Sequence, residues 1–212
     1  MILDNQLEID IAYGLEELGL ATTRFQRDAL LEYLKLLIKW NKVYNLTAVR
    51  DPAQMVTRHL LDSLSITPWC LGQRLIDVGT GAGLPGIPLA ILYPSKDIHL
   101  LDSNSKKTRF LVQVKTALGL SNICVHHARV ESFIPPDRYD VVLSRAFASL
   151  VDMVGSCKHL LRETGQFLAM KGTLPELDLA SLADYVADVH ELTVPALDEQ
   201  RHLIILSGKQ RG

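Results

Sequence analysis

The stretch from Leu75 to Asp102 constrains the fold of this chain more than any other. An apolar run contains one acid, Asp77, and leads into a turn with four glycines, which are Gly79, Gly81, Gly83 and Gly86. Pro85 and Pro88 lie where the next helix begins, and a first helical turn does not need the N–H that proline lacks. A second apolar run then ends at Asp102. The pattern predicts strand, turn, helix and strand, in which glycines let the backbone approach a ligand and the second acid accepts hydrogen bonds from ribose hydroxyls.

The ligand that this turn would bind has more than one candidate. The spacing of Gly81, Gly83 and Gly86 also fits a dinucleotide-binding motif. Asp77 favours a different ligand, because a carboxylate beside the turn repels a pyrophosphate and attracts a cation. S-adenosylmethionine has no phosphate and carries a sulfonium and an amino group. We therefore favour a methyl donor over a dinucleotide, with a purely structural turn as the third alternative.

Composition narrows the class of protein. The chain has 212 residues, 48% of them hydrophobic, which suffices for one domain and an appendage. No apolar run reaches the roughly 18 to 20 residues that span a bilayer, and the start of the chain lacks the basic region of a secretory signal. Cys70, Cys124 and Cys157 form no C-x-x-C pair, and we expect reduced thiols, with Cys124 and Cys157 buried. These features predict a cytoplasmic protein without a membrane segment or a metal.

Hydrophobic periodicity predicts an N-terminal helical part followed by alternating strands and helices. Residues 1–66 should form a helical segment and candidate RNA contact, with helices over 4–20, 23–44 and 52–64. Residues 67–212 should form the main domain, in which alternation indicates a parallel sheet with crossover helices. The predicted strands are 74–78, 97–102, 122–126, 139–144, 166–170, 189–194 and 202–207, and the predicted helices are 85–93, 105–118, 149–161 and 175–187. Ligands of such sheets bind beyond the carboxyl ends of the strands, so the residues that follow these strands are candidate site residues.

Six short segments give the chain a specific resemblance. They are Asn45–Thr47, His59–Ser63, Asp77–Gly86, Leu101–Ser103 with Lys106 and Lys107, Arg129–Glu131, and Ser144–Leu150. In this order they resemble the bacterial RsmG family, also called glucose-inhibited division protein B. The resemblance implies an α/β class I methyltransferase with a Rossmann-like, mostly parallel seven-stranded sheet and an N-terminal helical appendage. It also implies methyl transfer from S-adenosylmethionine to N7 of a single guanine in 16S ribosomal RNA, with S-adenosylhomocysteine as product.

The resemblance assigns site residues by motif. Gly79 and Leu84 would line the donor pocket, Asp102 would bind the ribose, and Val130 and Glu131 would contact the adenine. Asp77, Gly81 and Arg145 complete the candidate cofactor-binding set. The expected partner is 16S ribosomal RNA or the small ribosomal subunit, bound by a monomer; since the net charge is −2, RNA must bind a local basic surface.

Arg145 is the candidate catalytic residue. It directly follows the apolar run 139–144, at the edge where an acceptor would approach the methyl group. A guanidinium matches the geometry of guanine O6 and N7 or of a phosphate. Because a bond to N7 would occupy the nucleophilic lone pair, we favour contacts to O6, to phosphate or to the donor. The structural alternative is a surface arginine paired with a nearby acid.

Further residues are candidates for RNA contact. They are Lys39, Lys42, Asn45, Arg58, Phe147 and Lys171. Each has a structural alternative, since charged helix faces are commonly just solvated and Phe147 would also suit a core. His59 fits a substrate contact or a hydrogen-bonded structural histidine. The competing functions are methylation of another acceptor and a non-enzymatic adenine-nucleotide-binding module.

Overall fold

A computed structural model of the protein describes residues 2–174 and 181–209. The chain begins with two long helices, α1 (Ile2–Glu17) and α2 (Arg24–Tyr44). Thr23 caps α2 in a reciprocal box, because its hydroxyl accepts a hydrogen bond from the Gln26 amide at 3.2 Å while the Gln26 side chain accepts one from the Thr23 amide at 2.9 Å. The predicted helices over 4–20 and 23–44 are therefore present with small shifts at their ends.

The third predicted helix, over 52–64, contains an unexpected wide turn. It consists of α3 (Pro52–Met55), a π-helical segment (Val56–Leu61) and α4 (Asp62–Leu64). π-Helical turns are rare and occur often at functional sites. This one brings Asp62 to the carboxyl edge of the sheet, near Arg145.

Seven strands form one sheet in the order β3-β2-β1-β4-β5-β7-β6. Their bounds are β1 (Arg74–Val78), β2 (Asp97–Asp102), β3 (Ile123–His127), β4 (Tyr139–Ser144), β5 (Leu161–Lys171), β6 (Tyr185–Glu191) and β7 (His202–Gly208). Strands β1 to β5 are parallel, whereas β7 runs antiparallel to both β5 and β6. The connecting helices are α5 (Gly86–Leu92), α6 (Ser105–Leu118) and α7 (Leu150–Cys157). The predicted mostly parallel seven-stranded α/β sheet is confirmed, and its order reverses between β1 and β4, where such sheets bind ligands.

The sheet is buried on both faces, and the N-terminal helices cover one of them. Successive residues of each strand point to opposite faces, so Leu75 and Ile76 belong to different apolar clusters. The cluster on the face of Leu75 includes side chains of α1, α2, α5 and α6, whereas α7 packs on the other face. Residues 1–66 thus share a core with the sheet, and their separation from 67–212 as a distinct unit stays a prediction.

The predicted elements near the C-terminus need correction. The predicted helix over 175–187 is wrong for residues 181–187, which form a turn and the start of β6; residues 175–180 lie outside the described residues. Strand β6 ends at Glu191 rather than at 194, and β5 begins at Leu161 rather than at 166. Accordingly, α7 ends at Cys157, followed by a 3₁₀ turn over Lys158–Leu160, and the predicted helix over 149–161 was too long. Strand β6 has the limits of its pairing with β7, and Leu161 at the start of β5 pairs with Tyr139 of β4; such pairing leaves little trace in local sequence.

Two smaller expectations concern the thiols and membranes. Cys70 and Cys157 are buried, but Cys124 is exposed, because β3 is an edge strand and one of its faces meets solvent. The prediction of a buried Cys124 is wrong. Within the described part of the chain, no helix combines the length and apolarity needed to cross a membrane.

Candidate active site

The glycine turn brings the backbone close to the ends of two neighbouring strands. Gly79, Gly81 and Gly83 have φ angles of 68°, 61° and 93°, a region that side chains disfavour. The Gly79 amide donates to the Leu101 carbonyl at 2.9 Å, which ties the turn to the end of β2. A Cβ on Gly79 would lie 2.6 Å from the Ala146 Cβ. Only glycine therefore allows the segments that follow β1 and β4 to approach this closely.

Asp77 lies underneath this turn and is completely buried. Its Oδ2 accepts hydrogen bonds from the Thr80 hydroxyl at 2.7 Å and from the Gly86 amide at 2.9 Å. Burial raises the pKa of the Asp77 carboxyl to about 6, against the opposing effect of these two bonds. Asp77 thus holds both ends of the turn, and its predicted contact with the donor stays a prediction.

Asp102 joins the end of β2 to the turn and to α6. Its Oδ2 accepts from the Gly81 amide at 2.9 Å and its Oδ1 from the Asn104 amide at 2.8 Å. The Lys107 ammonium lies 3.8 Å from Oδ2. A carboxylate has about four lone-pair sites, so each oxygen retains capacity for a ribose hydroxyl.

A groove of about 310 Å³ opens at the carboxyl ends of β1, β2, β3 and β4. It is lined by Val78, Gly79, Leu101, Asp102, Ser103, Lys107, Ala128, Arg129, Val130, Glu131, Ala146 and Phe147. The structure therefore brings together four predicted cofactor residues, Gly79, Asp102, Val130 and Glu131, and adds the backbone of Gly81 through Asp102. Leu84 is buried in the core and, like Asp77 and Arg145, does not line the groove.

The groove has the features that S-adenosylmethionine requires. Asp102 provides acceptors for ribose hydroxyls, and Leu101 and Val130 provide apolar surface for an adenine ring. Gly79 lets the backbone after β1 lie against Ala146 after β4, and both residues line the groove. The residues present thus fit the predicted methyl donor.

Arg145 points into a second, adjacent cavity of about 230 Å³, lined also by Asp62, Lys171, Arg201 and His202. Its Nη2 lies 3.2 Å from Oδ2 of Asp62, a side chain that is 2% exposed. The segment that joins Arg145 to Phe147 borders both spaces, since Ala146 and Phe147 line the groove. The structural alternative of a paired arginine is therefore present, but the pair lies beside the groove and its acid is buried.

The candidate RNA-contact residues are spread over a wider area. Lys39 and Lys42 are exposed on α2, and Asn45 ends that helix and accepts a hydrogen bond from Arg50 at 2.6 Å. Arg58 forms a bidentate pair with Glu199, with contacts of 2.5 and 3.1 Å. The Lys171 ammonium donates to the carbonyls of Phe147 and Ala148 and so supports the segment that borders the groove.

His59 is buried and hydrogen-bonded. Its Nε2 lies 2.9 Å from the Thr47 hydroxyl, and burial lowers its pKa to about 4. A neutral, enclosed imidazole of this kind agrees with the structural alternative for His59.

One cluster of metal-ligating side-chain types occurs among the described residues. The ligand atoms of Asp97, His99 and Cys124 lie within 4.8 Å of one another, near the amino ends of β2 and β3 and away from the groove. Arg74 Nε lies 3.7 Å from Asp97 Oδ2, so a guanidinium already supplies positive charge there. The expectation that the protein uses no metal stays a prediction.

Sequence reasoning did not identify Asp62 and Arg201 as site residues. Asp62 lay within one of the resembling segments, but nothing in its neighbourhood indicated that it faces Arg145. Arg201 directly precedes β7, and no motif or spacing around it predicted a site residue. Both reach the site through the packing of the N-terminal helices and β7 at the carboxyl edge.

Comparison with known proteins gives consistent matches over nearly the whole chain. Residues 26–204 match the family model GidB, described as rRNA small subunit methyltransferase G. A protein named ribosomal RNA small subunit methyltransferase G from Pseudomonas aeruginosa is 54% identical over 200 residues, covering 93% of this chain and 94% of the relative. The protein of the same name from Cellvibrio japonicus is 49% identical over 215 residues, covering 98% of each.

Solved structures share the fold at low sequence identity. A structure of a SAM-dependent methyltransferase from Aquifex aeolicus superimposes with a TM-score of 0.58 at 14% identity, covering 76% of this chain and 96% of that one. At this identity the similarity concerns the fold alone, which is that of class I methyltransferases.

Proposed function

Because the chain belongs to the GidB family of rRNA small subunit methyltransferase G proteins, we propose that it methylates N7 of a single guanine in 16S ribosomal RNA. The methyl donor in this proposal is S-adenosylmethionine. The observation that carries it is the convergence of Gly79, Asp102, Val130 and Glu131 on one groove, directly beside the cavity that contains Arg145.

The donor's orientation follows from the groove. Asp102 accepts hydrogen bonds from the ribose hydroxyls, and Val130 with Glu131 contacts the adenine. The positive φ of Gly79 and its missing side chain let the turn lie directly against Ala146, so the groove includes the end of β4. A donor held in this way would present its methyl group to the edge formed by Arg145 and Phe147.

The chemistry requires alignment and no general base. When bound, S-adenosylmethionine supplies an electrophilic methyl group, to which the N7 lone pair forms a bond as the carbon–sulfur bond breaks and its electrons remain on sulfur. Since N7 carries no proton, none has to be removed first. Arg145 holds the guanine through O6 or a flanking phosphate, and Phe147 stacks on the base; alignment of this kind contributes about 7 to 11 kcal/mol in favourable cases.

Several finer points belong to the same proposal. The substrate is 16S ribosomal RNA or the small subunit that contains it. The enzyme acts in the cytoplasm, and it acts as a monomer. Lys39, Lys42, Asn45, Arg58 and Lys171 contact the RNA around the target, and no resident metal takes part. Asp77 contributes to donor binding by holding the glycine turn in place. Leu84 contributes by packing in the core behind that turn.

The proposal is tested with purified protein and labelled S-adenosylmethionine. The acceptors are 16S RNA and small subunits from cells that lack the gene, and the labelled nucleoside is identified by mass spectrometry after digestion. Label in 7-methylguanosine at one position supports the proposal. Label in another nucleoside or another molecule supports a different acceptor, and donor binding with no transfer to any acceptor supports a binding module.

A further inference from the structure

A buried carboxylate joins Arg145 to a second arginine that lies outside the groove. Oδ2 of Asp62 is 3.2 Å from Nη2 of Arg145, and Oδ1 is 3.2 Å from Nε of Arg201. The side chain of Asp62 is 2% exposed, that of Arg201 17% and that of Arg145 28%. Asp62 is thus the enclosed centre of an Arg–Asp–Arg cluster whose most accessible member is Arg145.

Three distant parts of the chain form this cluster. Asp62 directly follows the π-helical segment Val56–Leu61, Arg145 follows β4, and Arg201 precedes β7. The wider π turn changes the direction of the side chains that follow it. The N-terminal segment therefore supplies an acid to the edge of the sheet, and β7 supplies the cation that balances it.

Each guanidinium nitrogen of the second arginine lies close to an acceptor. Besides Asp62, Arg201 contacts Glu199 through Nη2 at 2.9 Å and donates to the Gln200 carbonyl from Nη1 at 2.8 Å. Glu199 is fixed in turn by the bidentate pair with Arg58. These contacts turn Arg201 towards Asp62 and Glu199, and its side chain is less exposed than that of Arg145, so the structure favours Arg201 as the partner of Asp62.

Arg145, in contrast, keeps donors for a substrate. Its contacts with the Ser63 hydroxyl and the Arg58 carbonyl are long, at 3.4 Å each. A guanidinium has five N–H donors, and the ion pair with Asp62 is made through Nη2, so N–H groups of Arg145 remain for a substrate. Arg145 lines the same cavity as Lys171 and His202, and an acceptor bound there would lie beside it.

A buried charged cluster is not the most stable way to fill this space. Apolar side chains of similar volume often stabilise a protein as much or more, whereas loss of one member of a buried pair strongly destabilises it. The contribution of the cluster that apolar packing cannot replace is the fixed direction of the Arg145 guanidinium.

We propose that Asp62 and Arg201 are positioning residues that fix the guanidinium of Arg145 for the acceptor guanine. This inference rests on the proposed function, which assigns Arg145 to the acceptor. The alternative is a cluster that only stabilises the fold. Positioning predicts that a folded variant without Asp62 or Arg201 has a lower kcat, whereas a purely structural cluster predicts an unchanged kcat.

The test compares Asp62→Asn with Asp140→Asn as a matched control. Asp140 also pairs with an arginine, Arg162, and accepts hydrogen bonds from the backbone of Gln73 and Arg74, but it lies at the amino ends of the strands. We expect Asp62→Asn to lower kcat about 10- to 100-fold, the range for misplaced catalytic groups, with the dissociation constant for S-adenosylmethionine unchanged. Asp140→Asn should lower the melting temperature and leave kcat at the wild-type value.

Arg201→Met provides a second variant in case Asp62→Asn does not fold. Arg201 is more exposed than Asp62, so we expect its replacement to disturb folding less. It should lower kcat in the same direction, and Arg201→Lys should restore part of the loss by returning a cation to Asp62. Wild-type kcat in folded Asp62→Asn or Arg201→Met would overturn the inference. So would equal losses of kcat in Asp62→Asn and Asp140→Asn.

A readout without activity separates this inference from the proposed function. Nitrogen-15 NMR of arginine Nη groups, with Arg145 assigned from an Arg145→Lys spectrum, should show slow rotation of the Arg145 Nη2 group in the wild type and fast rotation in Asp62→Asn, because Nη2 is the atom beside Asp62. An unchanged signal would overturn the positioning by Asp62. A wild-type protein that transfers no methyl group to 16S RNA would contradict the proposed function, and the NMR comparison would still decide whether Asp62 orders Arg145.

Discussion

At the scale of single residues, Asp77 stabilises the glycine turn at an electrostatic cost. Its carboxylate bonds to Thr80 and Gly86 hold the two ends of the turn, yet its Oδ1 is buried without a hydrogen-bond partner. Burial of an incompletely bonded carboxylate favours its neutral form, and the raised pKa expresses this preference. The geometry of the turn is thus obtained by burying an acid that ionises unfavourably near neutral pH.

Asp77→Asn should therefore change the pH dependence of stability. The folded pKa of about 6 lies above the ordinary 3.8, so the folded state binds the proton more tightly and loses this stabilisation as pH rises from about 4 through 6. An asparagine oxygen still accepts the bonds from Thr80 and Gly86, but it does not ionise. Between pH 4 and 7 the free energy of unfolding of the wild type should fall by about 2 kcal/mol relative to the variant. Parallel curves from denaturant titrations would contradict this account of Asp77.

Arg145→Ala should abolish most methyl transfer while the protein remains folded. Loss of one positioned donor at a reacting group commonly lowers kcat by about 100-fold or more. Some stability is lost as well, because Asp62 loses its ion pair with Arg145 and keeps the one with Arg201. Kinetics should be measured well below the melting temperature.

Arg162→Ala is the matched control for this prediction, since it removes an arginine from an aspartate pair at the other end of the strands. The control should retain wild-type kcat. Wild-type turnover in Arg145→Ala would remove Arg145 from the mechanism.

At the scale of elements, the site depends on how closely the ends of β1 and β4 approach. Gly79→Ala places a methyl group 2.6 Å from the Ala146 Cβ, so the segment after β4 has to move into the groove. We expect the affinity for S-adenosylmethionine, measured by calorimetry, to fall about tenfold, or roughly 1.4 kcal/mol.

Gly119→Ala separates this collision from backbone strain. Gly119 has φ 64°, close to the 68° of Gly79, but a Cβ there meets no atom within 4 Å. Both variants should lose about 1 to 2 kcal/mol of stability, the usual strain of a left-handed residue, and only Gly79→Ala should lose affinity. Equal affinities would mean that the groove does not extend past Gly79.

The elements differ in how far sequence predicts them. Strands β1, β2 and β4 have the predicted limits, because their continuous apolar runs are bounded by turn residues and are buried on both faces. Strand β6 alternates partly buried and exposed residues at the edge of the sheet, and its state depends on pairing with β7. The π-helical segment gives no periodic signal that distinguishes it from an α-helix, so its effect on Asp62 is visible only in the folded chain.

The residues of the candidate site likewise differ in how far the sequence predicts them. Asp102 ends a parallel strand, and Gly79, Val130 and Glu131 follow such strands, whose carboxyl ends topology alone brings to one edge. The partners of Arg145 come instead from the N-terminal segment and from the residue before β7. Contacts between such distant segments depend on packing, which local patterns do not encode.

At the scale of the whole molecule, the N-terminal segment is part of the core. Apolar side chains of α1 and α2, including Leu7, Ile11, Leu30 and Leu34, pack in the cluster that covers one face of the sheet. The Tyr33 hydroxyl donates to the Ala82 carbonyl at 2.8 Å and so connects α2 with the glycine turn. The segment thus supports the groove and supplies Asp62 to the adjacent cavity.

A variant limited to residues 67–212 should accordingly fail to fold. Removal of α1 and α2 exposes an apolar face of the sheet, and large exposed apolar patches promote aggregation. Size-exclusion chromatography and thermal unfolding should show aggregates and no cooperative transition. A monomeric fragment that unfolds cooperatively would contradict the shared core and support two independent units.

The central claim is that this chain modifies one guanine of 16S ribosomal RNA at N7. It is tested most directly in 16S RNA from cells that lack the gene and carry either the wild-type or the Arg145→Ala chain. Borohydride reduction followed by aniline cleaves RNA at 7-methylguanosine, and primer extension locates each cut. The account predicts one additional cut with the wild-type chain and its loss with Arg145→Ala at equal protein levels. Identical cleavage patterns with and without the wild-type chain would contradict it.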